Sequence, residues 1–339
     1  MRKFSRNELG LTLVEVMVSL VLGSMVTVAV LSTYITVSRN YSQDERYAYM
    51  QENGRYALRI LTEDLSLADF WGQIVSTDTI STALSPTSGS CGDVTGVFSA
   101  SDAVRIVNNH VSPAFSHVTS CALVSTNHVA NTNVLVIKRV AGSATAETGP
   151  DVNDIDNDSN TSEIVTIGAS SLSAGTVYLR SNGTVGSLIN TASSANPPGN
   201  GEGDWQYLPR IYFVRDYLET VGDGIPALCR VALANSTLND VQCVAEGVED
   251  LHFEYGIDTD DDAVPNIYTT TPTAANMDGL VAVRVHLLMR SAEPDPNYVN
   301  NKTYQFGDAT HSAKNDGFYR RVYTSTVMVR NSVGRKQFL

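Results

Sequence analysis

The feature that most constrains this chain is a run of 27 residues, Leu11 to Val37, in which Glu15 is the only charged side chain. As a helix the run would reach roughly 40 Å, enough to cross a hydrocarbon core of about 30 Å. It therefore reads as a transmembrane segment. Arg2, Lys3 and Arg6 precede it, so the positive-inside rule keeps the N-terminus in the cytoplasm and sends the remainder across the membrane.

A secretory signal peptide also opens on basic residues, but it is cut after its apolar run at small residues. No site of that kind follows this run. The small residue at a boundary is Gly10, on the cytoplasmic side, and these residues alone leave both cleavage there and an uncut signal anchor open. Glu15 bears on the choice. An acidic side chain at mid-membrane costs about 2.5 to 3.5 kcal/mol on insertion scales, so a partner has to be named for it. If the chain is cut after Gly10, the new amino group of Leu11 is a cation four residues before Glu15, on the same helix face. The positive end of the helix dipole adds a smaller favourable term. An uncut chain offers Glu15 neither the new amino group nor its charge.

The basic leader, Gly10 and "LTLVEVMVSL" together resemble the class III signal of type IV prepilins and pseudopilins. The resemblance implies that a membrane-embedded aspartyl prepilin peptidase cuts between Gly10 and Leu11 and N-methylates Leu11. It further implies that Glu15 neutralises the N-terminus of a neighbouring subunit during assembly. That family commonly has Phe where this chain has Leu11.

No proline occurs before Pro86, so nothing covalent stops the helix where the apolar run ends. Tyr47, Met50, Gly54, Leu58, Leu61, Leu65 and Ala68 then recur every three or four residues, a stripe that needs a sheet to lie on. The opposite face offers Glu52 with Arg55 and Arg59 with Glu63 at helical spacings. One helix from Leu11 to about Ala68, roughly 87 Å long at 1.5 Å per residue, follows from this. Its halves are a transmembrane part, 11–37, and an amphipathic part, 38–71. The string "QENGRYALRILTEDLSLADF" is similar to the start of minor pilins of the PilW family.

From Gly72 onward the chain reads as strands between polar loops rich in Gly, Ser, Thr and Asn. The strand candidates are 103–107, 134–140, 164–167, 176–180, 210–217, 228–234, 251–255, 280–289 and 318–330. "TSGSCGD", "SATAETGPDVNDIDNDSNTS" and "TASSANPPGNGEGD" read as loops. The fold class is α+β: a long N-terminal helix packed on a β-rich, mainly antiparallel head, 72–339, behind a leader, 1–10. This is the type IV pilin-like architecture. "EGVEDLHFEYGID" and "RRVYTSTVMVRN" are similar to late segments of PilW proteins.

Four cysteines admit three connectivities. The sequence-local pairs Cys91 with Cys121 and Cys229 with Cys243 enclose short loops and suit the oxidising compartment reached across the membrane. A rival metal set, Cys91, His110, His117 and Cys121, lacks the usual short ligand spacings. Asp258, Asp260 and Asp262 alternate as the first oxygens of a Ca²⁺ loop do, and so do Asp154, Asp156 and Asp158. Neither stretch is an EF-hand, because Ala263 and Ser159 stand where its glycine belongs. Calcium is thus the one candidate cofactor, with solvated acidic turns as the plain alternative.

The formal charge of −13, with no basic stripe, argues against nucleic acid as a partner. No nucleophile elbow, zinc-protease, P-loop or dinucleotide fingerprint occurs, and His286 lies in a strand as a packed or surface residue. The chain reads as a building block and not an enzyme. The PilW resemblance implies a minor pilin that initiates a type IV pilus. Its partners would be other minor pilins, the major pilin, the prepilin peptidase, the inner-membrane assembly platform and a tip adhesin. A type II secretion minor pseudopilin of the J kind and an uncut, signal-anchored periplasmic binding or adhesive protein are the alternatives.

Overall fold

A computed structural model describes residues 12–74, 77–82, 84, 103–107, 128–150, 164–168, 172–173, 175–190, 198, 201–234, 237–277, 279–307 and 309–336. The chain divides into two units, Met1–Tyr49 and Met50–Leu339. Helix α1, Leu13–Ser66, is continuous over 54 residues. With no proline in this stretch, every backbone N–H past its first turn has a carbonyl four residues behind it.

From Met50 on, the buried positions of α1 are Met50, Gly54, Ala57, Leu61, Asp64 and Leu65. The expected stripe therefore shifts slightly: Tyr47 is exposed, Leu58 is half-buried and Ala57 takes its place. Close approach is the reason. A Cβ on Gly54 would stand 3.0 Å from Cε2 of Tyr323, so at this turn of the helix there is room for little more than glycine. The expected exposed pairs Glu52–Arg55 and Arg59–Glu63 are not formed; none of these four side chains makes an ion pair. Solvated pairs of this kind are worth only a few tenths of a kcal/mol, too little to hold long side chains together.

The chain leaves α1 through Asp69 and Gly72, at φ 66° and 65°. The indole N–H of Trp71 donates to Asp69 Oδ1 at 2.9 Å. The last helix of the described residues ties back to this corner. Asn331 Nδ2 donates to the Ala68 carbonyl at 2.9 Å and Ser332 Oγ to Asp69 Oδ2 at 2.7 Å.

The described strands, numbered along the chain, form four sheets. A six-stranded sheet has the order β1-β7-β6-β8-β4-β5. It is built from β1 (Ile80–Thr82), β4 (Ala146–Pro150), β5 (Ile164–Gly168), β6 (Val177–Ser181), β7 (Gly186–Asn190) and β8 (Gly203–Gln206). Only its β1–β7 pair is parallel. A five-stranded antiparallel sheet, β11-β10-β9-β3-β2, uses β2 (Val104–Val107), β3 (Val134–Ile137), β9 (Arg210–Arg215), β10 (Ala227–Ala234) and β11 (Thr237–Glu246). A four-stranded antiparallel sheet, β13-β12-β14-β17, uses β12 (Val248–Ile257), β13 (Ile267–Thr269), β14 (Leu280–Arg290) and β17 (Arg320–Met328). The hairpin β15 (Tyr304–Phe306) and β16 (Ala309–His311) is the fourth.

Strand alternation decides which side meets the helix. Leu135 and Ile137, Tyr212 and Val214, and Leu228 join Leu251, Phe253, Val283, Val285 and Leu287 around Met50, Ala57, Leu61 and Leu65. The intervening residues Val134, Val136, Ile211, Phe213, Cys229 and Val231 form a second core on the other face. Trp71, Val140, Val177, Leu179, Leu188, Trp205 and Tyr207 form a third beside the six-stranded sheet.

Three sequence readings are corrected. β4 lies inside "SATAETGPDVNDIDNDSNTS", read as a loop; it lacks alternating apolar residues and is a strand through its pairing with β5 and β8. The last strand ends at Met328, and Arg330–Lys336 is a helix, α3. Short α2, Ala274–Met277, and strands β1, β7, β8, β11, β13, β15 and β16 were not anticipated, and β8 begins inside "TASSANPPGNGEGD", read as a loop. β11, "TLNDVQCVAE", is polar and is held by its hairpin to β10.

Candidate assembly surface

Large hydrophobic side chains of α1 point to solvent from Leu13 to Val37. This is one helix long and apolar enough to cross a membrane. Its polar side chains are dealt with internally. Ser19 donates to the Glu15 carbonyl, Ser24 to Val21, Thr27 to Gly23, Ser32 and Thr33 to Ala29, and Thr36 to Ser32, all between 2.6 and 2.9 Å. Those are all the serines and threonines between Leu13 and Val37. Each hydroxyl bonds back to its own helix, so none carries an unmet donor into an apolar environment.

Glu15 is the exception. Its backbone N–H donates to Thr12 Oγ1 at 3.3 Å, and the first helical bond runs from Val16 N to the Thr12 carbonyl at 3.1 Å. Thr12 is thus the N-cap, and Thr12 with Glu15 has the S/T-x-x-E/Q spacing of a capping box. This signal was legible in the sequence and went unread. The Glu15 carboxylate is exposed and meets no partner among the described residues. Val16, Ser19, Leu20, Gly23, Ser24, Thr27 and Val28 line a shallow groove on the same stretch. A Cβ at Gly23 would touch nothing within 4 Å. Ser19, Gly23 and Thr27 follow at intervals of four, the spacing at which small residues let helices approach in a membrane. Gly10 and Leu11 lie outside the described residues.

Among the described residues, the buried carboxylates have partners. Asp64 Oδ1 accepts from Arg139 Nη2 at 3.0 Å, and Oδ2 accepts from the Tyr212 hydroxyl. Burial first, then the Asp64 charge, pushes the Tyr212 phenol up. Sequence reading missed Asp64, whose only signal was an acid inside an apolar stripe. His286 is buried in β14, hydrogen-bonded to Glu254 Oε2 and Thr324 Oγ1, each at 3.0 Å, and Arg284 also reaches Glu254 at 3.1 Å. Asp250 meets His252 at 3.1 Å and His311 at 3.0 Å. Burial would push the Asp250 carboxyl up, but those two hydrogen bonds outweigh it and hold it below its usual range. Each of these groups is engaged with the partners named, as a packed polar cluster of the head.

Cys229 and Cys243 are bonded and sit opposite each other across β10 and β11. Cys91, Cys121, His110, His117 and the stretch with Asp154, Asp156 and Asp158 lie outside the described residues. The carboxylates of Asp258, Asp260 and Asp262 have oxygens within 4.8 Å of one another and could hold a divalent ion. Asp258 already accepts backbone N–H groups from Asp260 at 3.1 Å, Asp261 at 2.8 Å and Ala263 at 2.9 Å. Burial acts to raise its pKa, and these donors bring it below the ordinary value.

Comparison with known proteins assigns both ends of the chain. Residues 5–31 match the prokaryotic N-terminal methylation motif. Residues 211–331 match PilW, the type IV pilus-assembly protein W. No curated protein and no solved structure matches the chain. The PilW match runs from β9 to the start of α3 and so takes in most of the sheet surface on which α1 lies. The chain thus carries a prokaryotic N-terminal methylation motif at one end and a domain of the PilW family, the type IV pilus-assembly protein W, at the other.

Proposed function

We propose that the chain is cut between Gly10 and Leu11 by the prepilin peptidase, that Leu11 is N-methylated, and that Glu15 then pairs with the N-terminus of a neighbouring subunit. The single observation that carries this is the Glu15 carboxylate, the one charged side chain between Leu11 and Val37, which is met neither by its own helix nor by another described residue. A charge left in an apolar helix needs an opposite charge beside it, and a freed amino terminus supplies one. Leu11 to Val37 is then the shared helical core of the filament, with Ser19, Gly23 and Thr27 as its close-packing edge.

On this reading the protein enters the inner membrane once, N-terminus in the cytoplasm and head in the periplasm. It leaves with other minor pilins to prime a pilus of major pilin through the assembly platform, and its head helps display a tip adhesin. Calcium is the ion we assign to Asp258, Asp260 and Asp262, since alternating carboxylates supply hard oxygens; titration calorimetry without Ca²⁺ heat removes that assignment. Cys91 with Cys121 is the remaining disulfide of the proposal.

The test is mass spectrometry of the mature N-terminus combined with pilus counts for Glu15→Ala. The expected result is a chain beginning at methylated Leu11 and a variant that is processed and membrane-bound yet makes no pili. A mature chain beginning at Met1 would falsify the cleavage, and normal pili from Glu15→Ala would remove the role of that carboxylate.

A further inference from the structure

The arginines of the head fall into two groups. Arg139 pairs with Asp64, Arg180 with Asp204, Arg284 with Glu254, and Arg320 with Glu249 and Asp316. Arg210, Arg215 and Arg290 donate to backbone carbonyls and Arg230 to Gln242. Among the described side chains from Met50 on, Arg55, Arg59, Arg321 and Arg330 have no acceptor, and all four are exposed.

Those four are neighbours. Arg55, Arg59 and Arg330 line one groove over Leu58, Thr62 and Ser66, with Glu63 as its single acid. The Arg321 guanidinium stands 5.5 Å from the centre of the Tyr323 ring, whose phenol also feels the charge of Arg55. Four cations gathered around one acid, Glu63, with which none of them forms an ion pair, leave an uncompensated positive patch in a chain with a formal charge of −13. Like charges one helical turn apart repel.

We infer that this groove docks a carboxylate-bearing face of a neighbouring pilin-type subunit. The inference rests on the assembly reading above and names the surface by which the head, as distinct from the apolar helix, meets its neighbour. Arg55 and Arg59 are one turn apart on α1, so the complementary face carries carboxylates about one helical turn apart. Guanidinium forks match carboxylates two bonds at a time. A long polyanion is disfavoured, because the strongly acidic chain repels it as it approaches. A docked subunit brings its few acids inside the screening length of about 8 Å, where the local cations dominate.

The test is made on the full chain in piliated cells, with a photoreactive phenylalanine replacing Thr62. The expected result is a cross-link to another pilin, identified by mass spectrometry. It should be lost in R55E/R59E and in R330E, kept in R55K/R59K, and weakened by added salt in solubilised membranes. R55E/R59E should match the parent in melting temperature and N-terminal processing while its pili are lost. No cross-link, a cross-link to a second copy of this chain, or one that survives R55E/R59E overturns the inference. So does binding of anionic lipid vesicles or duplex DNA that R55E/R59E removes. A strain lacking the protein separates the two readings. If it still makes pili, the assembly role fails; if it makes none while R55E/R59E makes a normal number, the groove alone fails.

Discussion

Glu15 and Asp64 are carboxylates set among apolar residues of one helix, yet Asp64 is held by Arg139 and Tyr212 while no described residue reaches Glu15. Their surroundings differ in the same sense. Around Glu15 every serine and threonine turns back to its own helix and the large side chains face outward. Around Asp64 the apolar side chains are buried against sheets that also supply the counter-charge. A polar group answered from within the chain is part of the fold. One that the chain leaves unanswered marks where another molecule is needed, and the same contrast separates the paired arginines of the head from Arg55, Arg59, Arg321 and Arg330.

The largest effect expected on the head comes from removing the answer to Asp64's neighbour. Asp64→Ala leaves the Arg139 guanidinium without its carboxylate in a nearly buried site, and breaking such a pair typically costs about 3 to 5 kcal/mol. Denaturant melts of the detergent-solubilised protein should show that loss. Replacing both partners, Asp64→Leu with Arg139→Met, should recover most of it, because two apolar groups leave no unpaired charge. A double variant as unstable as Asp64→Ala would mean that the pair is not what holds α1 to the five-stranded sheet. Glu15→Ala should leave the same melts unchanged, which is what sets the two carboxylates apart.

Acid should act on the head in the same direction but less strongly. The folded pKa of Asp250 is depressed: burial opposes the shift, and hydrogen bonds from His252 and His311 exceed it. Its contribution to stability is therefore fully present above the unfolded value of about 3.9 and is lost as pH falls through the lower folded value. Asp316, held low chiefly by Arg320, adds to the same limb. Melting temperature should fall below about pH 4, and Asp250→Asn should flatten part of that fall. An unchanged acid limb in Asp250→Asn would assign the sensitivity to other carboxylates.

How much of this was legible in the sequence depends on where each residue's partner lies. The helix was legible because its period repeats within the chain and no proline breaks it; its observed ends, Leu13 and Ser66, fall within two residues of Leu11 and Ala68. Strands with long apolar runs, such as Leu280–Arg290, were legible for the same local reason. β4 and β11 were not, because their strand character comes from neighbours distant in sequence or across a hairpin. Asp64 was passed over because Arg139 lies 75 residues away. Cys229 with Cys243 is a close pair in sequence, only 14 residues apart, and could be named from spacing. Thr12 is a local signal too, a capping hydroxyl three residues before the charge.

Thr12 also sharpens the reading of Glu15, through the smallest effect expected here. A capping box accepts Gln as well as Glu at its fourth position, so Glu15→Gln keeps the helix start and removes only the charge. Thr12→Ala does the reverse: it removes the cap, worth typically about 1 kcal/mol, and keeps the charge. Amide exchange at Glu15 should therefore rise roughly fivefold in Thr12→Ala and stay unchanged in Glu15→Gln. Pili should respond oppositely, persisting in Thr12→Ala and failing in Glu15→Gln. If instead Glu15→Gln makes pili and Thr12→Ala does not, Glu15 serves its own helix as Asp64 serves the head, and the difference between the two carboxylates disappears.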